Sequence, residues 1–198
     1  MIEIVFATAN KHKLSELRAI LTEYKILSLN DIGFSEVIEE DGLTFQENAM
    51  IKARAVHLFC EKTTIADDSG LCVESLNGAP GIYSARYADT HGDDKKNNQK
   101  LLQEMKNVPE GKRDAKFVCA GAVVFEDGTQ QSAYGEVSGR IAFEESGENG
   151  FGYDPLFICN ETGHRYAQMD MKQKNEISHR RRAFEKLKPF IDKYYGEK

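Results

Sequence analysis

Apolar residues recur along this chain with two periods, and the changes from one to the other mark its elements. Ile2 to Ala7 is a largely apolar run that predicts a strand beginning almost at the terminus. Leu14, Leu17, Ile20 and Leu21 follow at helical spacing, so the polar stretch Thr8-Ala9-Asn10-Lys11-His12-Lys13 is the loop of a strand, loop and helix unit. Tyr24 to Leu29 predicts a short second strand and Asp31 to Glu36 a turn, after which Val37-Ile38 leads into the acidic turn Glu39-Glu40-Asp41-Gly42. Thr44, with Glu47 three residues on, forms a capping box for a helix that carries Ala49, Ala53, Val56, His57 and Phe59.

Thr64-Ile65-Ala66 then approaches Asp67-Asp68-Ser69-Gly70, and apolar residues resume at Leu71-Cys72-Val73. This pattern predicts a strand that delivers two acids to a turn at the edge of a sheet. Asp93 to Met105 reads as a helix packed through Leu101, Leu102 and Met105, or as a surface flap, and Pro109-Glu110-Gly111 stops it. The middle of the chain predicts antiparallel sheet. Ala115 to Phe125 is one long strand, Glu126-Asp127-Gly128 a turn, Gln131 to Val137 the returning strand, and Gly139 to Phe143 a third segment. A terminal helix runs through Phe184, Leu187, Phe190 and Ile191, with Ser178 as a candidate cap.

Composition narrows the classes without choosing among them. A chain of 198 residues fits one domain with room for a smaller lobe, and such a chain buries roughly 70% of its unfolded surface. With 40% hydrophobic and 29% charged residues, neither a disordered nor a fibrous class is suggested. The net charge of -6 argues against broad binding of duplex nucleic acid but leaves room for a local anion pocket, above all if metal ions help to neutralise the ligand. Cys60, Cys72, Cys119 and Cys159 form no CxxC pair and read as buried free thiols rather than a zinc site. No export segment precedes Ile2 and no apolar run approaches membrane-spanning length, so the cytosol is the expected compartment.

Candidate chemistry gathers at few places, each with a plainer reading beside it. Asp67 and Asp68 cannot share a strand face; one can meet a ligand while the other holds the local structure, unless both sit in a solvated acidic turn. In the first loop Thr8 and Asn10 offer hydrogen bonds and Lys11 and Lys13 offer cations to an anion at the helix start, although the loop lacks the Walker A pattern and is also an ordinary capping turn. Glu39, Glu40 and Asp41 can hold an ion or simply favour a helix start. Lys52 and Arg54 read as solvated, but Asn48 and Lys52 share a helix face and can reach inward. In the glycine-rich segment from Glu144 to Phe157, Phe151 or Tyr153 offers an aromatic face to a base, and Asp154 can hold a turn or a polar partner. His179 and Arg180 fall in the first turn of the terminal helix, where cations do not favour helix stability, which makes a ligand role more plausible for them. Arg181 and Arg182 read as solvated surface.

Six of these stretches, in one order, resemble a known family. Thr8-Ala9-Asn10-Lys11-His12-Lys13, Thr44-Phe45-Gln46-Glu47-Asn48-Ala49, Ala66-Asp67-Asp68-Ser69-Gly70-Leu71, the segment from Gly78 to Tyr87, Phe151-Gly152-Tyr153-Asp154-Pro155 and Ile177-Ser178-His179-Arg180 are similar to the motifs of the inosine triphosphate pyrophosphatase family. Ala9 departs from the small residue, such as glycine, that many bacterial members carry there.

The resemblance implies an α/β fold with a mixed, strongly twisted central sheet flanked by helices, in a single domain of two lobes with a nucleotide cleft between them, and commonly a homodimer. It implies Mg²⁺-dependent hydrolysis of non-standard purine nucleoside triphosphates (ITP, dITP and XTP) between the α and β phosphates, giving nucleoside monophosphate and pyrophosphate. Asp68 is by family position the acceptor of a proton from water, and it joins an acid from Glu39-Glu40 at the metal, with Glu40 favoured. Phe151, Gly152, Tyr153 and Asp154 match the base-side segment and His179 and Arg180 the purine-recognition segment.

Elementary chemistry agrees with that implication. Attack at an α phosphorus needs an aligned water, a carboxylate or metal to activate it, and cations for the leaving group. Lys13, Lys52 and Lys174 can hold the phosphate tail, with Thr8, Asn10 and Ser69 supplying hydrogen bonds. No covalent nucleophile is required. The alternatives are a pyrophosphatase of different base preference or a noncatalytic nucleotide sensor. Neither nucleic acid nor a membrane is an expected partner, because the chain is acidic and lacks an extended basic and aromatic platform.

Overall fold

The computed structural model describes residues 1–90 and 92–196. Its strands are β1 (Glu3–Phe6), β2 (Lys25–Leu27), β3 (Thr64–Val73), β4 (Asp114–Val124), β5 (Gln130–Ile141) and β6 (Phe157–Cys159). Its helices are α1 (Lys11–Ile20), α2 (Phe45–Cys60), α3 (Asp94–Glu104), α4 (Met171–Ile177) and α5 (His179–Gly196). The strands form one mixed sheet in the order β2-β1-β3-β4-β5-β6, with β1 parallel to β2 and β3 and with β5 antiparallel to β6. This is the mixed α/β architecture that the family resemblance implies.

The chain divides into two compact units, the first made of residues 1–68, 119–135 and 179–198 and the second of residues 69–118 and 136–178. In the first unit the strands are apolar on both faces, as expected where helices cover both sides of a sheet. Ile4, Phe6, Ile65, Cys119 and Val123 pack with Leu17 and Leu21 of α1 and with Phe184 and Leu187 of α5. The alternate residues Val5, Ala7, Ala66, Ala120, Ala122 and Val124 pack with Ala49, Ala53 and Val56 of α2. The small side chains on that second face let α2 come close. Its start is the expected capping box, in which Thr44 accepts the Glu47 N–H at 3.1 Å and Glu47 accepts the Thr44 N–H at 3.1 Å.

The second unit has its own core of Leu71, Val73, Leu101, Met105, Val137, Ile141, Tyr153 and Leu156 around an aromatic group, in which Phe117 stacks on Tyr166 with ring centroids 5.6 Å apart. Buried Arg113 ties down the loops beside it by donating to the carbonyls of Ile141, Met105, Val108 and Ala142 at 2.7–3.0 Å. Of the two readings open for Asp93 to Met105, the helix is the one observed, as α3, with Asp93 as its cap.

Two expectations need correction. The acids Asp67 and Asp68 do not lie at a turn on the sheet edge; β3 runs unbroken through them, and it is an interior strand. A charge in an interior strand is tolerated only with partners; those of Asp67 come from α1 and α5, remote in sequence, and those of Asp68 from α2, the helix just before β3. The expected break between Gln131–Val137 and Gly139–Phe143 is also absent, because β5 is continuous. Gly139 interrupts the apolar pattern for a different reason: a Cβ there would run into the Ile158 carbonyl and the Phe157 ring of β6, a three-residue strand that periodicity did not reveal.

Gly135 does the same for α5. A Cβ at this position would collide with the backbone of His179, Arg182 and Ala183, so the first turn of α5 rests directly on β5. Gly135→Ala should therefore destabilise the protein by about 1–3 kcal/mol, the usual cost of overpacking. Urea unfolding measures it, and an unchanged midpoint contradicts this close approach.

Candidate active site

Alternation along β3 assigns the two aspartates to different helices. Asp67 lies on the α1 and α5 face and is 1% exposed. Its Oδ2 accepts from Arg180 Nε at 3.1 Å and Nη2 at 2.9 Å, pairs with Lys13 Nζ at 3.2 Å, and lies 3.8 Å from the Cys119 thiol. Arg180, equally buried, also bonds Glu16 through Nη1. Burial alone would push the Asp67 carboxyl up, but the Lys13 and Arg180 charges outweigh it and hold the group far below the ordinary carboxylate range. Arg180 is likewise kept charged: burial works against its guanidinium, and Asp67 and Glu16 overcome that.

Asp68, the next residue, faces α2 and is 8% exposed. Asn48 Nδ2 donates to its Oδ2 at 3.2 Å and Lys52 Nζ lies 3.4 Å from its Oδ1. Its pKa moves the other way. Burial raises it, Lys52 and Lys13 pull it down without prevailing, and the charges of Glu40 and Asp67 raise it further. Lys52 Nζ also donates to Glu40 Oε2 at 2.6 Å, so one ammonium sits between the acidic loop and β3. Burial opposes that charge, and Asp68, Glu40 and Asp67 together raise the Lys52 pKa. Of the two candidate glutamates, Glu40 is half-buried against Lys52 and Glu39 is exposed.

The loop before α1 is partly used in holding itself. Asn10 caps the helix by accepting the N–H groups of His12 and Lys13 at 2.9 and 3.2 Å, and Thr8 Oγ1 accepts the Asn10 N–H at 3.2 Å. Ala9, Lys11 and His12 are exposed. Lys13 is turned inward to Asp67. His179 opens α5 and is buried beside Arg180 in the chain.

In the second unit, Ser69 follows Asp68 along β3 and is half-buried. Here Phe151 to Asp154 form a separately braced turn. Asp154 Oδ2 accepts the Phe151 N–H at 2.9 Å and a bond from Lys174 Nζ at 2.6 Å, and that ammonium lies 4.6 Å from the centroid of the Phe151 ring. Gly152 is held at both ends by α3: its N–H donates to Asp94 Oδ2 at 2.7 Å and its carbonyl accepts from Asn98 Nδ2 at 3.1 Å. The Tyr153 hydroxyl donates to the Ser84 carbonyl at 2.8 Å, which gives the Gly78–Tyr87 motif a local purpose. Lys174, expected at the phosphate tail, is thus grouped with Asp154 and Phe151.

Glu16, Asp94 and Asn98 take part in these contacts but belong to no site motif in the sequence. Asn48 was within reach, since it shares a face with Lys52. Glu16 left one usable signal: it lies beside Leu17 on a helix that buries its apolar stripe, and an acid there needs a cation.

Among the described residues no three or more His, Cys, Asp or Glu side chains are grouped to hold a metal ion. A Mg²⁺ ion asks for less than that, since it commonly takes one or two carboxylates and completes its shell with water and phosphate oxygens; Glu40 and Asp68, bridged by one ammonium, suit it. A cavity of about 940 Å³ elsewhere in the first unit is lined by Arg18, Lys25, Asp31 and Lys62 among others and by none of the predicted site residues. Its cations are already paired, Lys25 and Lys62 with Glu3 and Arg18 with Asp31.

The two aspartates should separate in stability as well as in function. Asp67 is depressed in the fold, so its contribution is present above the ordinary carboxylate pKa of about 3.9 and lost as the pH falls below that value. Asp67→Asn should cost on the order of 3 kcal/mol at pH 7, because it strands buried cations, and should flatten the acid limb. Asp68 is raised in the fold, so its ionisation opposes folding at neutral pH, and Asp68→Asn should be at least as stable as the wild type. Urea titrations from pH 3 to about 8 test both; equal losses for the two variants would contradict the assignment.

Comparison with known proteins identifies the family of this chain. The Ham1 family profile matches residues 4–190. A dITP/XTP pyrophosphatase of Clostridium tetani is 44% identical over 98% of this chain and 98% of its own length, and one of Clostridium perfringens is 47% identical over 95% of this chain and 96% of its own. The solved structure of the Staphylococcus aureus Ham1 protein superposes with a TM-score of 0.86 at 42% identity, covering 99% of this chain and 100% of that one. Coverage of both partners is nearly complete, so the likeness extends over the whole fold and is not confined to a few motifs: the chain belongs to the Ham1 family.

Proposed function

We propose that this protein hydrolyses non-standard purine nucleoside triphosphates, ITP, dITP and XTP, to nucleoside monophosphate and pyrophosphate with Mg²⁺ as cofactor. Similarity to relatives named dITP/XTP pyrophosphatase supports the substrate class. The observation that carries the chemistry is the contrast within one dipeptide. Asp67 is held ionised by Lys13 and Arg180 in a structural role, while Asp68 is raised by burial and neighbouring acids and so is better suited to take a proton.

In this reading the Asp68 carboxylate accepts a proton from a water molecule whose oxygen bonds to the α phosphorus. The bond from that phosphorus to the bridging oxygen breaks, and the electron pair leaves with pyrophosphate. Lys13 and Lys52 supply positive charge to the phosphate oxygens, with Thr8, Asn10 and Ser69 adding hydrogen bonds and Ala9, Lys11 and His12 forming the outer rim of the same loop. Glu40, ahead of Glu39, and Asp68 would hold Mg²⁺, which when bound neutralises phosphate charge and favours deprotonation of water.

Phe151 to Asp154 take the base, and Lys174 is assigned to that end because it lies against Asp154 and Phe151. Its ammonium is a donor suited to a six-oxo purine and mismatched to the six-amino group of adenine. His179 and Arg180 are assigned to purine recognition on the family resemblance, with the Arg180 guanidinium braced by Asp67 and Glu16. The enzyme is expected to work in the cytosol as a homodimer, on family resemblance. Among the described residues no helix is long and apolar enough to cross a membrane.

A panel of ITP, XTP, dITP, GTP and ATP with both products quantified tests the reading. ITP and XTP should exceed ATP in kcat/KM by about tenfold or more, as one unpaired buried donor costs 1–3 kcal/mol. Folded Asp68→Asn should lose most turnover. Stepwise release of single phosphates, or near-normal rates in Asp68→Asn, would refute the mechanism; equal rates on ATP would refute the base assignment.

A further inference from the structure

Resting on the proposed role of Asp68, we propose that Asn48 is a positioning residue that locks the Glu39–Gly42 loop to the Asp68 carboxylate. Its side chain is 1% exposed and spans the two elements: Oδ1 accepts the Gly42 N–H at 2.8 Å and Nδ2 donates to Asp68 Oδ2 at 3.2 Å. The partners fix the amide orientation, since a backbone N–H can only donate and a carboxylate can only accept. Gly42 is fitted to this contact. A Cβ there would lie 2.7 Å from Asn48 Oδ1 and 2.8 Å from Glu47 Cβ, so any larger residue pushes the loop away from α2.

One helical turn further on, Lys52 joins the same loop to the same carboxylate, through Glu40 Oε2 and Asp68 Oδ1. The two bridges differ in kind. Lys52 carries a charge that phosphate oxygens attract, so its bonds to Glu40 and Asp68 compete with substrate. Asn48 is neutral and buried, and its bonds do not. It keeps the loop backbone and one Asp68 oxygen in register while Lys52 exchanges partners, which leaves Glu40 and Asp68 suitably placed for Mg²⁺.

The test combines hydrogen exchange on metal-free, nucleotide-free protein with kinetics. Asn48→Leu keeps the volume and removes both bonds; amides 39–43 should exchange at least about tenfold faster while the interior of α2 stays protected. In the same variant kcat and Mg²⁺ half-saturation should worsen by roughly 10–100-fold, with a smaller change in KM for nucleotide. Asn48→Asp retains the acceptor for Gly42 and loses the donor to Asp68, so loop protection should return without kcat. Gly42→Ala, with Asn48 intact, should loosen the loop as Asn48→Leu does and provides the test if that variant fails to fold. Unchanged loop exchange in both Asn48→Leu and Gly42→Ala overturns the proposal, as does wild-type kcat in Asn48→Asp. Asp68→Asn is the control for the underlying reading: if it remains active, the role given to Asp68 fails, whereas the loop measurements still decide whether Asn48 holds the loop.

Discussion

A carboxylate taken out of water loses several kcal/mol of hydration that only well-placed cations and hydrogen bonds can replace, and Asp67 is almost wholly out of water. Lys13 from α1, Arg180 from α5 and the Cys119 thiol from β4 converge on one of its oxygens. Arg180 in turn needs Glu16. This chain of requirements ties β3 to α1, α5 and β4, elements far apart in sequence, and fixes the first turn of α1 through Lys13. It also explains why cations open α5 despite the unfavourable helix dipole: acids buried opposite the first turn compensate them.

The neighbouring acid on the same strand meets a different set of groups. Because side chains alternate, Asp68 cannot share the cations that neutralise Asp67 at close range, and it faces α2 with Asn48 and Lys52 instead. Burial, with the charges of Glu40 and Asp67, makes the ionised form of Asp68 costly against the pull of Lys52 and Lys13. The surroundings of these adjacent carboxylates thus shift their pKa values in opposite directions. In the second unit Asp94 and Asn98 hold the two ends of the Gly152 backbone, while Asp154 pairs with Lys174 and accepts the Phe151 N–H.

Local chemistry was legible in the sequence. The capping box at Thr44 and Glu47 needs only neighbours three residues apart, and the opposite orientations of Asp67 and Asp68 follow from strand geometry alone. The helices α1, α2 and α5 announced themselves by period. What stayed hidden depends on distance. Glu16 and Arg180 are 164 residues apart and neither carries a mark of the other. Continuity of β3 through two acids contradicts strand composition unless those partners are known, and Gly139 looked like punctuation until β6 was seen to lie against it. The contacts of Lys174 with an aromatic ring and an acid, from Phe151 and Asp154, were likewise hidden.

The proposed mechanism requires water to attack at the α phosphorus, with pyrophosphate as the leaving group. Single-turnover hydrolysis of ITP in water enriched in heavy oxygen, with the mass of each product determined, tests it most directly. The account predicts the heavy oxygen in the nucleoside monophosphate and none in pyrophosphate. Heavy oxygen in the pyrophosphate would place the attack at the β phosphorus, and an unlabelled first pair of products would mean that a protein group attacks first; either result contradicts the account.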